Sequence, residues 1–221
     1  MRIKICGVRY PDQAKGIAQI GGTAIGFICV PRSRRYVTPA QILAVTEQLP
    51  KNIDRIAVFA NTTPEYICQV FKNRHLTGIQ LHGDESPEFC QQLRQELTRF
   101  GCYNVEIVKA FRIRTPWDLQ RAAAYEDVVD TFLLDAYHPQ QLGGTGTTLD
   151  WHALQEFHPQ RPWFLAGGLT PENILTALKQ LKPDGIDISS GVEMAPGDKD
   201  ISRVADLLEQ VDAIVPGVSR I

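Results

Sequence analysis

Eight times along the chain a short β-prone segment gives way to a helical pattern, at an average spacing of about 28 residues, the length of one strand-plus-helix unit. The strands read from the sequence are Arg2–Cys6, Ala24–Cys29, Ile53–Phe59, Gly78–Leu81, Val105–Phe111, Thr131–Leu134, Trp163–Ala166 and Gly185–Ser189. Helix starts are marked by Pro11 after Tyr10, by Thr38-Pro39, Thr63-Pro64, Ser86-Pro87, Thr115-Pro116, Asp150-Trp151 and Thr170-Pro171, and by Ser202. Proline suits the first helical position because its missing N–H has no partner there anyway, and a preceding Ser or Thr caps the exposed amides. Eight parallel strands, each followed by a helix, either close into a (β/α)8 TIM barrel or lie open as a doubly wound sheet. The count of eight favours the barrel, and neither Gly-x-Gly-x-x-Gly after the first strand nor a Gly-Lys-Ser/Thr loop is present to favour the open sheet. No linker or low-complexity tract breaks the pattern, so residues 1–221 are expected to form a single barrel domain.

Composition narrows the partners. A net charge of -2 gives no general affinity for nucleic acid or anionic lipid. No stretch nears the roughly 20 apolar residues that cross a bilayer, and Gly7, Arg9 and Asp12 break up any signal-peptide core, so no membrane partner and a cytoplasmic location are expected. Cys6, Cys29, Cys68, Cys90 and Cys102 are odd in number, widely spaced and free of Cys-x-x-Cys pairs. Thiols in a reducing compartment account for them better than disulfides or a zinc site.

Barrel strands are covered on both faces and should be apolar throughout, so polar residues within them need a reason. With side chains alternating along a strand, Lys4 and Cys6 share one face, Gln80 and His82 another, and Gly185, Asp187 and Ser189 a third. Asp135 lies just past Thr131–Leu134. All of these approach the C-terminal strand ends, where a barrel enzyme keeps its chemistry. A buried cysteine is ordinarily core packing, and Cys29 and Cys68 are read that way. Cys6 differs, since it ends a strand and Gly7 lets other groups approach closely, so base or nucleophile stands beside core filler. An aspartate after a strand is ordinarily a helix cap, but here the next helix arrives only near Asp150. Glycine-rich segments follow the last three strands: Gly143-Gly144-Thr145-Gly146, Gly167-Gly168 and Ser189-Ser190-Gly191. Amides exposed by small residues at that side of a barrel bind a phosphate without needing a lysine.

Lys4-Ile5-Cys6-Gly7, Pro31 to Val37, Gln80-Leu81-His82-Gly83, Leu133-Leu134-Asp135, Gly143 to Gly146, Ala166 to Asn173 and Asp187 to Glu193 together resemble the phosphoribosylanthranilate isomerase family, in order along essentially the whole chain. The resemblance implies an Amadori-type rearrangement of a small phosphoribosyl substrate, with neither metal nor organic cofactor. It makes Cys6 the general base and Asp135 the general acid. Arg35 would hold the anthranilate carboxylate, a planar fork on a planar acceptor. Gly144, Gly146, Gly167, Gly168, Ser190 and Gly191 would hold the phosphate, and Asp187 would bind substrate hydroxyls or set the charge near Cys6. Lys4 is a candidate cation for promoting the thiolate, while Asp135 needs burial or a neighbouring carboxylate to keep its proton. The assembly expected is a monomer or a homodimer.

Other readings stay open. A phosphosugar epimerase would call for a metal-binding cluster of histidines and acids at strand ends, where only His82 is well placed. An indole-forming synthase would need more lysine and glutamate there than Lys4 and Lys109 offer. A catalytically silent phosphate-binding barrel would need neither the thiol nor the acid.

Overall fold

The computed structural model describes residues 1–72, 75–113, 115–136 and 151–215. Eight parallel strands close on themselves: β1 Arg2–Cys6, β2 Ala24–Ile28, β3 Asp54–Phe59, β4 Gly78–Leu81, β5 Glu106–Ile113, β6 Thr131–Ala136, β7 Trp163–Ala166 and β8 Gly185–Ile188. Each strand pairs with the next, and β8 returns to β1. The open doubly wound alternative is thereby excluded.

The punctuation read from the sequence sets the helices. Helices α1 Pro11–Gln19, α2 Pro39–Thr46, α3 Pro64–Phe71, α4 Pro87–Arg99 and α5 Pro116–Gln120 each begin on the expected proline. The side chains of Thr38, Thr63 and Ser86 accept from the backbone N–H three residues on, as cap residues do. Later in the chain the pattern departs from expectation. In place of a helix at Trp151 the structure has one 3-10 turn, Trp151–Leu154. Helix α6, Ile174–Gln180, begins three residues after Pro171 because Asn173 ties the preceding turn. Its Oδ1 accepts from Thr170 N at 2.9 Å and its Nδ2 donates to Gly168 O at 2.8 Å. Helix α7, Ile201–Asp212, is capped by Asp200 rather than opening at Ser202, whose hydroxyl donates to the Asp200 carboxylate. Between β8 and α7 lies an unforeseen antiparallel hairpin, β9 Glu193–Ala195 with β10 Asp198–Lys199.

Alternation along the strands divides the core in two. One face of each strand meets the helices, and Ile3, Ile5, Ile25, Phe27, Ile79, Leu81, Leu134 and Ile186 belong to that large apolar layer. Facing the barrel axis is a smaller cluster, Val108, Ala110, Leu133, Phe164 and Ala166, contributed by β5, β6 and β7. On β1, β4 and β8 the corresponding faces carry Lys4, Gln80 and Asp187, all buried. The interior is therefore apolar on one side and polar on the other. No helix among the described residues is long and apolar enough to cross a membrane.

Candidate active site

At the C-terminal mouth of the strands a cavity of about 490 Å³ opens, lined by Cys6, Arg35, Asp135, Gly167, Gly168, Asp187, Ser190 and Gly191 among others. Every expected site residue that falls within the described part of the chain is in that lining. Gly144 and Gly146 lie outside the described residues.

Cys6 closes β1 and is 5% exposed. Its partner across the β1–β2 ladder is Gly26. A side-chain carbon at Gly26 would stand 2.7 Å from Cys6 Sγ and 3.0 Å from Lys4 Nζ, so the thiol and the ammonium both occupy space that only glycine leaves open. Lys4 thus points toward Cys6, which their shared strand face allowed but did not decide. It also donates to Gln80 Oε1 at 2.8 Å and to Asp187 Oδ1 at 3.0 Å. Burial pulls the Lys4 ammonium toward neutrality, and the negative charges beside it more than offset this, so Lys4 keeps its proton. At Cys6 burial also dominates. Lys4 and Lys199 draw the thiol down and Asp187 pushes it up, and the outcome is a thiol raised above its ordinary value of 9.0. The Cys6 thiol is therefore neutral near pH 7.

Arg35 reaches the mouth from the loop after β2, its stem crossing Gly7, where an added Cβ would lie 2.7 Å from Arg35 Cδ. Gly7 has a φ of +78°, a conformation that favours glycine. Arg35 is not an unattached fork awaiting a ligand. Its Nε donates to Glu193 Oε1 at 2.9 Å and its Nη2 to Oε2 at 2.6 Å. Glu193 also accepts from the buried Lys199 Nζ at 2.6 Å and from Gly197 N at 3.0 Å. The neighbouring Arg32 and Arg34 are exposed, as a solvated loop requires.

Asp135 lies inside β6 rather than beyond it, because Ala136 still pairs with Ile113. Its Oδ2 is 3.2 Å from His82 Nε2, and the side chain is 29% exposed at the mouth. Its recorded partner is thus an imidazole, not the carboxylate anticipated as one way of retaining its proton. Gly167 and Gly168, with φ of 87° and 65°, turn the chain after β7 beside the 3-10 turn Ser190–Val192. Lys109 is committed elsewhere: Nζ donates to Gly83 O at 2.8 Å, to Ala110 O at 3.0 Å and to Glu85 at 3.2 Å. It buttresses the loop after β4, outside the cavity lining. Among the described residues no group of three His, Cys, Asp or Glu side chains is placed to hold a metal.

Residues 3–210 match the sequence profile of N-(5'-phosphoribosyl)anthranilate (PRA) isomerase. The chain belongs to this family. The N-(5'-phosphoribosyl)anthranilate isomerase of Trichormus variabilis is 60% identical over 96% of the chain and 98% of its own length. The crystal structure of phosphoribosyl anthranilate isomerase from Thermotoga maritima superposes with a TM-score of 0.87 at 31% identity, covering 96% of this chain and 99% of that one. A further phosphoribosyl anthranilate isomerase structure, in complex with reduced 1-(o-carboxyphenylamino)-1-deoxyribulose 5-phosphate, matches with a TM-score of 0.82 at 30% identity over 96% and 99% of the two chains.

Three residues of this isomerase site were not singled out from the sequence. Gly26 sits mid-strand, where glycine marks close approach of a neighbour, a signal that was available. Glu193 and Lys199 flank the turn Pro196-Gly197, itself a hairpin sign, but nothing local says that Glu193 folds back onto Arg35 with Lys199 behind it.

Proposed function

We infer that the chain catalyses the Amadori-type rearrangement of N-(5'-phosphoribosyl)anthranilate to 1-(2-carboxyphenylamino)-1-deoxyribulose 5-phosphate, a step of tryptophan biosynthesis. The observation that carries this reading is the match to the isomerase family over residues 3–210, with the thiol and the carboxyl that such chemistry needs lining one cavity. In our reading Asp135 is the acid. It gives its proton to the furanose ring oxygen, the bond from that oxygen to C1 breaks, and the anthranilate nitrogen supplies electrons to leave an iminium. The iminium is the electron sink for the second step. The Cys6 thiolate takes the proton from C2, the released pair forms the C1–C2 double bond, and the enolamine becomes the ketoamine by tautomerisation. Thiol and carboxylate then exchange protons with solvent, and no net proton is consumed.

Arg35 has its Nε/Nη2 edge held by Glu193, which leaves Nη1 and the second Nη2 hydrogen for the anthranilate carboxylate. The phosphate is assigned to the glycine-rich turns, namely Gly167, Gly168, Ser190 and Gly191 together with Gly144 and Gly146. Asp187, bonded to Lys4 and next in strand register to it, sets the charge around Cys6. We take the enzyme to be a monomer or a homodimer, and thiols of this kind persist in the cytoplasm, where we place it.

The test is turnover. Phosphoribosylanthranilate is generated in situ and the loss of its anthranilate fluorescence is followed with purified protein. Enzyme-dependent decay competed by the reduced product analogue is expected. A folded protein that binds the analogue without turnover would instead make this a silent phosphate-binding barrel.

A further inference from the structure

Gln80 and His82 lie between the candidate base and the candidate acid, and the donors along this line have only one consistent arrangement. Lys4 Nζ is 2.8 Å from the Gln80 side-chain amide. An ammonium has donors and no acceptor, so the amide atom facing it is the oxygen, and the amide nitrogen is turned to His82 Nδ1 at 2.8 Å. That nitrogen carries two hydrogens and can only donate. Nδ1 is then the acceptor, and the single hydrogen of the neutral ring resides on Nε2, which donates to Asp135 Oδ2 at 3.2 Å.

We propose that Lys4, acting through Gln80, locks His82 as its Nε2–H tautomer, and that His82 in this form is the positioning residue for Asp135. The proposal rests on the reading of Asp135 as the acid. With Oδ2 held by the imidazole, Oδ1 is the oxygen that presents the proton to the ring oxygen of the substrate. When the proton leaves, the new carboxylate already has a donor in place. The opposite tautomer would reverse both effects. Its bare Nε2 would draw the Asp135 proton into a bond with the ring, away from the substrate, while Nδ1–H would confront the Gln80 amide hydrogens. Lys4 and Gln80 are each only 1% exposed, so the Gln80 amide has little water to turn to in that conflict, although the His82 side chain itself is 26% exposed at the mouth. The same ammonium stands beside Cys6, so one proton on Lys4 organises both ends of the site.

The experiment is a long-range 1H–15N correlation spectrum of 15N-histidine-labelled protein without substrate, with His82 assigned by the loss of its signals in His82→Gln. The wild type is expected to show the proton on Nε2. In Gln80→Glu the carboxylate accepts from Lys4 and from the ring, so a proton appears on Nδ1. In Lys4→Met the amide is free to turn and both tautomers appear. The remaining histidine signals report whether each variant is folded. Gln80→Glu and His82→Leu should lose about tenfold or more in kcat with KM within about twofold, and His82→Gln, which keeps an N–H donor, should recover part of the loss. An Nδ1–H ring in the wild type, an unchanged ring in folded Gln80→Glu, or full kcat in His82→Leu would overturn the lock. An Nε2–H ring in a wild type that turns over no phosphoribosylanthranilate would instead overturn the reaction assigned to the site.

Discussion

A thiol that serves as a base must be ionised, and burial sets Cys6 against that requirement. Because its value is raised above 9.0 in the folded protein, the thiolate is a small fraction at neutrality that grows about tenfold with each pH unit. The expected outcome is a kcat/KM that still climbs through pH 9.0, the ordinary thiol value, instead of levelling off there. Lys4 draws the thiol down, so its removal should carry the climb further into alkali. A rate profile for Lys4→Met superimposable on the wild type would show that the thiolate is not the species being titrated. At this scale the sequence was informative about identity and silent about balance. The alternation of Lys4 and Cys6 placed them on one face, but whether charge or burial prevails depends on Asp187 and Lys199, which arrive from the far end of the chain.

At the scale of elements, the first five strand–helix units were legible because each boundary has a local cause. A proline starts each helix, with a Thr or Ser cap before it in α2, α3 and α4, and an apolar segment of the right length makes the strand. The segment from β8 to α7 was not legible. There Glu193 opens a two-stranded hairpin whose value is tertiary, since it carries a carboxylate between Arg35 and Lys199. Burial alone would raise Glu193, but hydrogen bonds from Arg35 and Lys199 outweigh it and leave the group below its ordinary 4.5. A depressed carboxylate contributes stability that is present above its unfolded value and disappears as pH falls through its folded value. Glu193→Gln should therefore be less stable than the wild type at neutral pH, and the gap should close below pH 4.5 in denaturant titrations. A gap that stays constant with pH would mean that the charge of Glu193 is not what holds the hairpin.

For the whole molecule, the barrel separates stability from chemistry by its two ends. At the N-terminal end Arg2 donates to Glu106 at 2.6 Å and to Asp54 at 2.7 Å, and its guanidinium stands 5.0 Å from the centre of the Phe164 ring. These groups are between 21% and 38% exposed, so screening limits the interaction. Arg2→Met should cost about 1–2 kcal/mol, a few degrees in melting temperature, with kcat unchanged. At the C-terminal end Cys6 on β1 and Asp135 on β6, with β7 and β8 between them, reach one cavity. Strand closure alone makes neighbours of residues so distant in sequence, and the count of eight strand–helix units is what made that closure readable. The most direct test of the account is kcat for Cys6→Ala and Asp135→Asn beside binding of the reduced product analogue. Each variant is expected to lose at least about a hundredfold in kcat while analogue binding persists. Wild-type turnover in either variant would contradict the assignment of base and acid.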